Sequence, residues 1–200
     1  MIIIKQRMNR RSEGENSLVQ EEIEVAHNLY CSTLLGAESF QNRGLRGNSI
    51  WMGDTKIRSV LSYLPESKAI HQKITGGFLI SQILDLAHTC ACILSGGNHR
   101  IVSIDDILFK EVVELGSILF LNSSIVYSNG NEFQVRVEAE KRFPSDLRAE
   151  GTLTTIMIIH FKSDEAVAKI VPNTYGETLL YLSARRHFQA VSHSNSESSI

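Results

Sequence analysis

The stretch from Ile70 to Ser95, and within it Ile74-Thr75-Gly76-Gly77-Phe78-Leu79 leading on to Asp85, decides how this chain is read. A glycine pair opens a long segment that is apolar on nearly every side, and Gly96-Gly97 closes it. That pattern predicts a helix from about Gly77 to Ser95. Glycine lets a backbone approach a ligand closely, and the first amides of a helix lack intrahelical partners in a field that favours negative charge. The start of this helix therefore has the properties of an oxyanion hole, with the Gly77 amide as donor and the Asp85 carboxylate about two turns further on. The pairing points to acyl transfer or hydrolysis.

On either side of the helix the periodicity changes. Residues 1–17 read as disordered, and 18–35 as a helix in which Leu18, Ile23, Ala26, Leu29 and Tyr30 recur near helical spacing. A Gly-, Asn- and Arg-rich loop over 36–50 follows, and Trp51 to Leu64 contains a first strand that ends before Pro65. Beyond the glycine pair at 96–97 the chain reads as strands. These are Arg100–Phe109, interrupted by Asp105-Asp106, then Ser117–Tyr127, apolar on both faces and so central, then Glu132–Glu140 and Thr152–Phe161. Asn129-Gly130 marks a tight hairpin turn, and Phe133, Val135, Val137 and Ala139 alternate with polar residues. Tyr175–Phe188 reads as a terminal helix before a Ser-rich tail. A strand, a long buried helix and a run of antiparallel strands imply an α+β domain in which a sheet wraps one helix, the hot-dog architecture. The expected organisation is 1–17 disordered, 18–50 linker helix and loop, 51–190 hot-dog domain and 191–200 tail.

Composition sets the outer bounds. Two hundred residues at 42% hydrophobic content suffice for one full core, and a net charge of -2 gives no reason to expect nucleic acid. Cys31, Cys90 and Cys92 are too few for a disulfide framework; Cys90 and Cys92, two apart on a helix, face different ways. No apolar run is read as reaching the roughly 20 residues of a membrane span. His88, His99 and Cys90 lack metal-site spacing, so neither metal nor cofactor is assigned.

Five segments carry a resemblance: Trp51-Met52-Gly53-Asp54-Thr55-Lys56, the helix entry Ile74–Ile80, Val102–Phe109, Val113–Leu121, and Val171-Pro172-Asn173-Thr174-Tyr175-Gly176-Glu177-Thr178-Leu179-Leu180-Tyr181-Leu182. Over roughly residues 20–190 the chain resembles acyl-coenzyme A thioesterases of the double hot-dog type, in particular the mitochondrial acyl-coenzyme A thioesterase 9 group. The matching part is the interdomain linker and second hot-dog domain. The resemblance implies hydrolysis of fatty acyl-CoA to fatty acid and coenzyme A, a mitochondrial location, and a site completed across two hot-dog units by an Asn near the glycines and an acid. This chain departs from that pattern. Gln72 stands where relatives carry Asn, Ala69 replaces an earlier Asn, and Asp85 replaces a Glu. The hot-dog domain that supplies the opposing acid in relatives lies outside this sequence. The expectation is therefore a homo-oligomer, in which Asp85 of one subunit faces Gln72 of another.

The candidate catalytic residues are thus Asp85 as base, Gln72 as an amide that orients water or carbonyl, and Gly77 as oxyanion donor. Gly76, Thr75 and Ser81 are the candidate substrate contacts. Each has a plainer reading: Asp85 can be a structural acid paired with His88, and the glycines can exist only to pack helix on sheet. Two classes of function remain open, an active acyl-CoA thioesterase or a catalytically weakened acyl-CoA-binding subunit that pairs with a complete relative.

Overall fold

The helix opened by the glycine pair runs Gly76–Ser95 (α1) in the computed structural model, which describes residues 24–25, 27–28, 31, 48–62, 69–70, 73–147 and 150–197. Thr75, in extended conformation, precedes it. Gly96 ends it at φ +63°, donating its N–H to the Cys92 carbonyl at 2.9 Å. This is the left-handed closure that the glycine pair predicts. Leu79, Ile83, Leu86, Ala87, Cys90 and Ala91 are buried, at spacings of three, four and one that keep them on one side of the helix. Contrary to the sequence expectation, α1 has the length and composition of a membrane span; a third of it is buried inside the molecule. Its buried side serves here as the core of the domain.

The chain forms two compact units, Leu45–Val171 and a second made of 1–44 with 172–200. In the first, β1 (Ser49–Trp51) leads through a short 3-10 turn, Met52–Thr55, to β2 (Ile57–Ser62). Two short strands, β3 (Ala69–Ile70) and β4 (Lys73–Ile74), pair just before α1. After α1 come β5 (His99–Phe109), β6 (Ile118–Asn129), β7 (Glu132–Arg142), β8 (Thr152–Ser163) and β9 (Lys169–Val171). Five of them build one antiparallel sheet in the order β2-β6-β7-β8-β5, which packs on α1. Strand β6 is interior, as its two apolar faces predict. Its hairpin with β7 pairs Asn129 with Glu132, so the two-residue loop is Gly130-Asn131, with Gly130 at φ +63°. The turn thus sits one residue later than the Asn-Gly dipeptide suggested, because the positive-φ position falls first in the loop.

The inner face of the sheet carries Leu119, Leu121 and Ile125, then Phe133, Val135, Val137 and Ala139, then Met157, Ile159 and Phe161, all at 0–1% exposure. Phe133 and Phe161 stack at 5.5 Å between centroids. Along β5, the two residues Asp106 and Ile107 oppose the single Met157 on β8, a bulge at the acidic pair that interrupts the strand.

The Trp51–Lys56 segment has a clear structural task. Buried Thr55 accepts a hydrogen bond from Ile125 N at 3.0 Å and donates to the Met52 carbonyl at 2.8 Å. It thereby satisfies the amide where β6 loses register with β7 between Ile125 and Tyr127. Three residues further along β6, Ser128 Oγ donates to Ala168 O and accepts from Ile170 N, tying β6 to β9, and β9 pairs in parallel with β1. That long-range pairing lies beyond what local periodicity can signal.

The second unit contains α2 (Tyr175–Glu197), longer than the Tyr175–Phe188 expected from sequence. No Gly or Pro interrupts the chain after Gly176. Thr174 and Glu177 cap its start: Glu177 N donates to Thr174 Oγ1 at 3.2 Å, and Glu177 Oε2 accepts from Asn173 N at 2.9 Å. Residues 24, 25, 27, 28 and 31 are helical, in the stretch predicted as a helix; residues 1–17 lie outside the described residues. Thr55→Val removes both side-chain hydrogen bonds and strands the buried Ile125 amide. It should lower the unfolding free energy by about 1–3 kcal/mol in urea titrations followed by circular dichroism.

Candidate active site

The entry of α1 is fixed from outside the helix. Ile74 N donates to Val113 O at 2.9 Å, which ties the chain just ahead of the glycines to the segment following β5. Thr75 makes no side-chain cap, so the first turn begins with backbone alone. Phe78 N and Leu79 N both donate to the Thr75 carbonyl. Gly76 N and Gly77 N have no acceptor among the hydrogen bonds of the described residues. Both glycines are exposed.

Packing does not explain the second glycine. A Cβ on Gly76 would meet the Phe109 ring at 3.7 Å, an ordinary contact, and a Cβ on Gly77 would meet nothing within 4 Å among the described residues. Neither adopts a positive φ. Packing of helix on sheet among the described residues therefore does not require glycine at 77.

From there an exposed stripe runs along α1 through Gly77, Ser81, Asp85, His88 and Thr89, opposite the buried face. Asp85 is exposed; its carbonyl accepts from Thr89 Oγ1 at 2.9 Å, and its carboxylate has no partner among the described residues. The expected plain pairing of Asp85 with His88 is not formed, since His88 turns to His99. Eight residues separate Gly77 from Asp85, about 12 Å along a helix axis. A hydrogen-bonded oxyanion lies about 3 Å from its donor, so Gly77 and Asp85 of one chain cannot serve the same carbonyl. Gln72 lies outside the described residues.

One cluster escaped the sequence reading. His88 Nδ1 lies 2.8 Å from His99 Nε2, Cys92 Sγ lies 4.0 Å from His88 Nε2, and Ser95 Oγ lies 2.6 Å from His99 Nδ1. Burial, followed by the neighbouring His88, holds His99 below the usual histidine range. Cys90, weighed with these histidines in the sequence and found to lack metal-site spacing, is not part of the cluster. Cys90 instead points into the core, where it donates to Thr55 O at 3.3 Å and where burial raises its thiol pKa against a smaller opposing effect of Ser123. The available signal was the four-residue step from His88 to Cys92, which one helical turn brings together.

A sheet curled on one apolar helix, with the helix start left open, defines a hot-dog domain. Solved structures bear out the fold. An acyl-CoA hydrolase from Staphylococcus aureus, in complex with butyryl coenzyme A, coenzyme A and coenzyme A disulfide, superposes with a TM-score of 0.68 at 19% identity, covering 75% of this chain and 94% of that one. An apo-hexameric acyl-CoA thioesterase does so with a TM-score of 0.68 at 21% identity, covering 74% and 98%. No family model matches the sequence. Within the hot-dog class, the chain is related to the mitochondrial acyl-coenzyme A thioesterases 9 and 10. It is 40% identical to acyl-coenzyme A thioesterase 10 of Mus musculus and 37% identical to acyl-coenzyme A thioesterase 9 of Homo sapiens, in each case over 173 residues or 86% of its length. It spans 39% of those relatives' own length.

Because the space around Gly77 is open, Gly77→Ala should fold and gain about 0.5 kcal/mol in urea unfolding, the usual effect of removing a helical glycine that nothing requires. A loss of stability would mean that residue 77 is packed.

Proposed function

We propose that this chain is a hot-dog unit of an acyl-CoA thioesterase that hydrolyses fatty acyl-CoA to free fatty acid and coenzyme A. The observation that carries the reading is the 37–40% identity over 86% of the chain to proteins named as such. The open helix start at Gly76-Gly77 gives that identity a chemical rationale. The thioester oxygen takes its hydrogen bond from the Gly77 amide, with Gly76 and Thr75 beside it and Ser81 one turn further along the stripe. Asp85 withdraws a proton from water as the water attacks the carbonyl carbon. The C–S bond then breaks, and the coenzyme A thiolate leaves with that proton. The Gln72 amide orients water or carbonyl. Since Gly77 and Asp85 of one chain are too far apart to share a carbonyl, the site is completed by another hot-dog unit, with Asp85 from one and the glycine amides from the other. A mitochondrial location follows from the same relatives.

The oligomer that this requires has a surface to form on. Strand β5 is an edge of the five-stranded sheet, and Ile101, Val102, Ile104, Ile107, Leu108 and Phe109 along it are each 38–49% exposed. A long apolar edge of this kind pairs with another chain unless it is covered or charged. We place the contact between units there. The chain should elute as a dimer or higher species in size-exclusion chromatography with light scattering, and Leu108→Lys should shift it toward monomer.

Activity is tested by thiol release from acyl-CoAs of several chain lengths, with Asp85→Asn as the comparison. Removing a general base should lower kcat by about 10²-fold or more. Equal turnover in both proteins would take Asp85 out of the mechanism. Saturable acyl-CoA binding without turnover in the wild type would overturn the hydrolase reading.

A further inference from the structure

We propose that His88, Cys92 and His99 form a site for one divalent transition-metal ion of zinc type at the far end of α1. The three come from a twelve-residue segment with two geometric constraints. The helical repeat sets His88 and Cys92 on adjacent turns of one face. The left-handed residues Gly96 (φ +63°) and Gly97 (φ +101°) then reverse the chain, so that His99, the first residue of β5, folds back against them. One ligand atom from each residue lies within 4.8 Å of the other two. In a tetrahedral zinc site, metal–nitrogen distances of about 2.0–2.1 Å and metal–sulfur distances of about 2.3 Å put ligand atoms about 3.3–3.7 Å apart. The His88–His99 contact must therefore open slightly and Cys92 close in. Cys92 and His99 are partly buried and His88 is exposed, so the side chains have room for both movements.

The surroundings hold His99 as a metal-site histidine needs to be held. Its ring stands edge-on to Phe161 at 5.2 Å and to Phe133 at 6.3 Å, which sets its plane. Ser95 Oγ lies 3.0 Å from Ala91 O and accepts from Gly97 N at 3.4 Å. With the hydroxyl proton assigned to Ala91 O, Ser95 accepts the His99 Nδ1 proton and leaves the Nε2 lone pair facing His88. An outer partner on the second ring nitrogen is the usual means of orienting a ligating histidine. One thiolate and two imidazoles favour zinc-type ions over magnesium or calcium, and three protein ligands leave a fourth position for water. On binding, the Cys92 thiol gives one proton to solvent, and the His88 proton that Nδ1 donates to His99 Nε2 moves to His88 Nε2 by tautomerisation through solvent, which frees Nδ1 for the metal.

Cys92 lies fifteen residues beyond Gly77, about 22 Å along the helix. A metal there acts on structure: it clamps the last turns of α1 to the start of β5, which a turn of two glycines otherwise joins.

The test is titration of the purified full chain with Co²⁺, followed by competition with Zn²⁺. One equivalent should bind with a thiolate-to-cobalt charge-transfer band, displaced by Zn²⁺ and lost in Cys92→Ser. Ser95→Ala should weaken binding about tenfold. Zn²⁺ should raise the melting temperature of the wild type and leave Cys92→Ser unchanged, while the two melt alike without metal. Cys31→Ser should keep the band; it is the necessary comparison because Cys31 Sγ lies 3.5 Å from His27 Nε2. Absence of the band in the wild type, its survival in Cys92→Ser, or its loss in Cys31→Ser overturns the proposal.

Discussion

Everything in the Leu45–Val171 unit depends on one packing arrangement, the burial of a single face of α1 by a curled antiparallel sheet. Leu79, Ile83, Leu86, Ala87, Cys90 and Ala91 supply the helix side, and the stacked Phe133 and Phe161 with their aliphatic neighbours supply the sheet side. Small residues at 87, 90 and 91 let the helix approach the strands closely. Because six positions on one side satisfy the core, the remaining positions of α1 are released for other tasks. Gly77, Ser81, Asp85 and His88 occupy them, and each faces outward.

That division explains why the candidate site is incomplete within one chain. A rigid helix holds its residues at fixed intervals, and 1.5 Å per residue separates the glycine amides from Asp85 by more than any thioester can bridge. The same rigidity makes each group dependable as half of a site. The exposed apolar edge at β5 belongs to the same logic. A sheet that ends on a strand rich in exposed Ile, Leu and Val is open to pairing, and the association proposed above would finish both the sheet and the site.

The α+β class, the position and limits of α1, the interior placement of β6 and the inward face of β7 were all legible in the sequence, because periodicity and glycine punctuation act locally. The bulge in β5 was legible too, since two adjacent acids break an apolar strand. Other features were not. The β6–β7 loop falls at Gly130-Asn131 and not at Asn129-Gly130, because register is set by pairing along the whole hairpin. Thr55 read as one residue of a distinctive segment; its role depends on a lost register in β6 seventy residues away. Asp85 and His88 interrupt the apolar run of α1, yet its mean hydropathy over a helix of this length still reaches that of a membrane span.

The sequence by itself determined the elements and the chemical character of the helix start, since backbone conformation and local amphipathicity follow from nearest neighbours. Only the tertiary structure decided which groups meet. Cys92 joins His88 and His99 while Cys90 is turned into the core, because the sheet dictates which side of α1 is buried. Likewise, a side chain at residue 77 would meet nothing within 4 Å among the described residues, a property of the folded surface which no local pattern encodes.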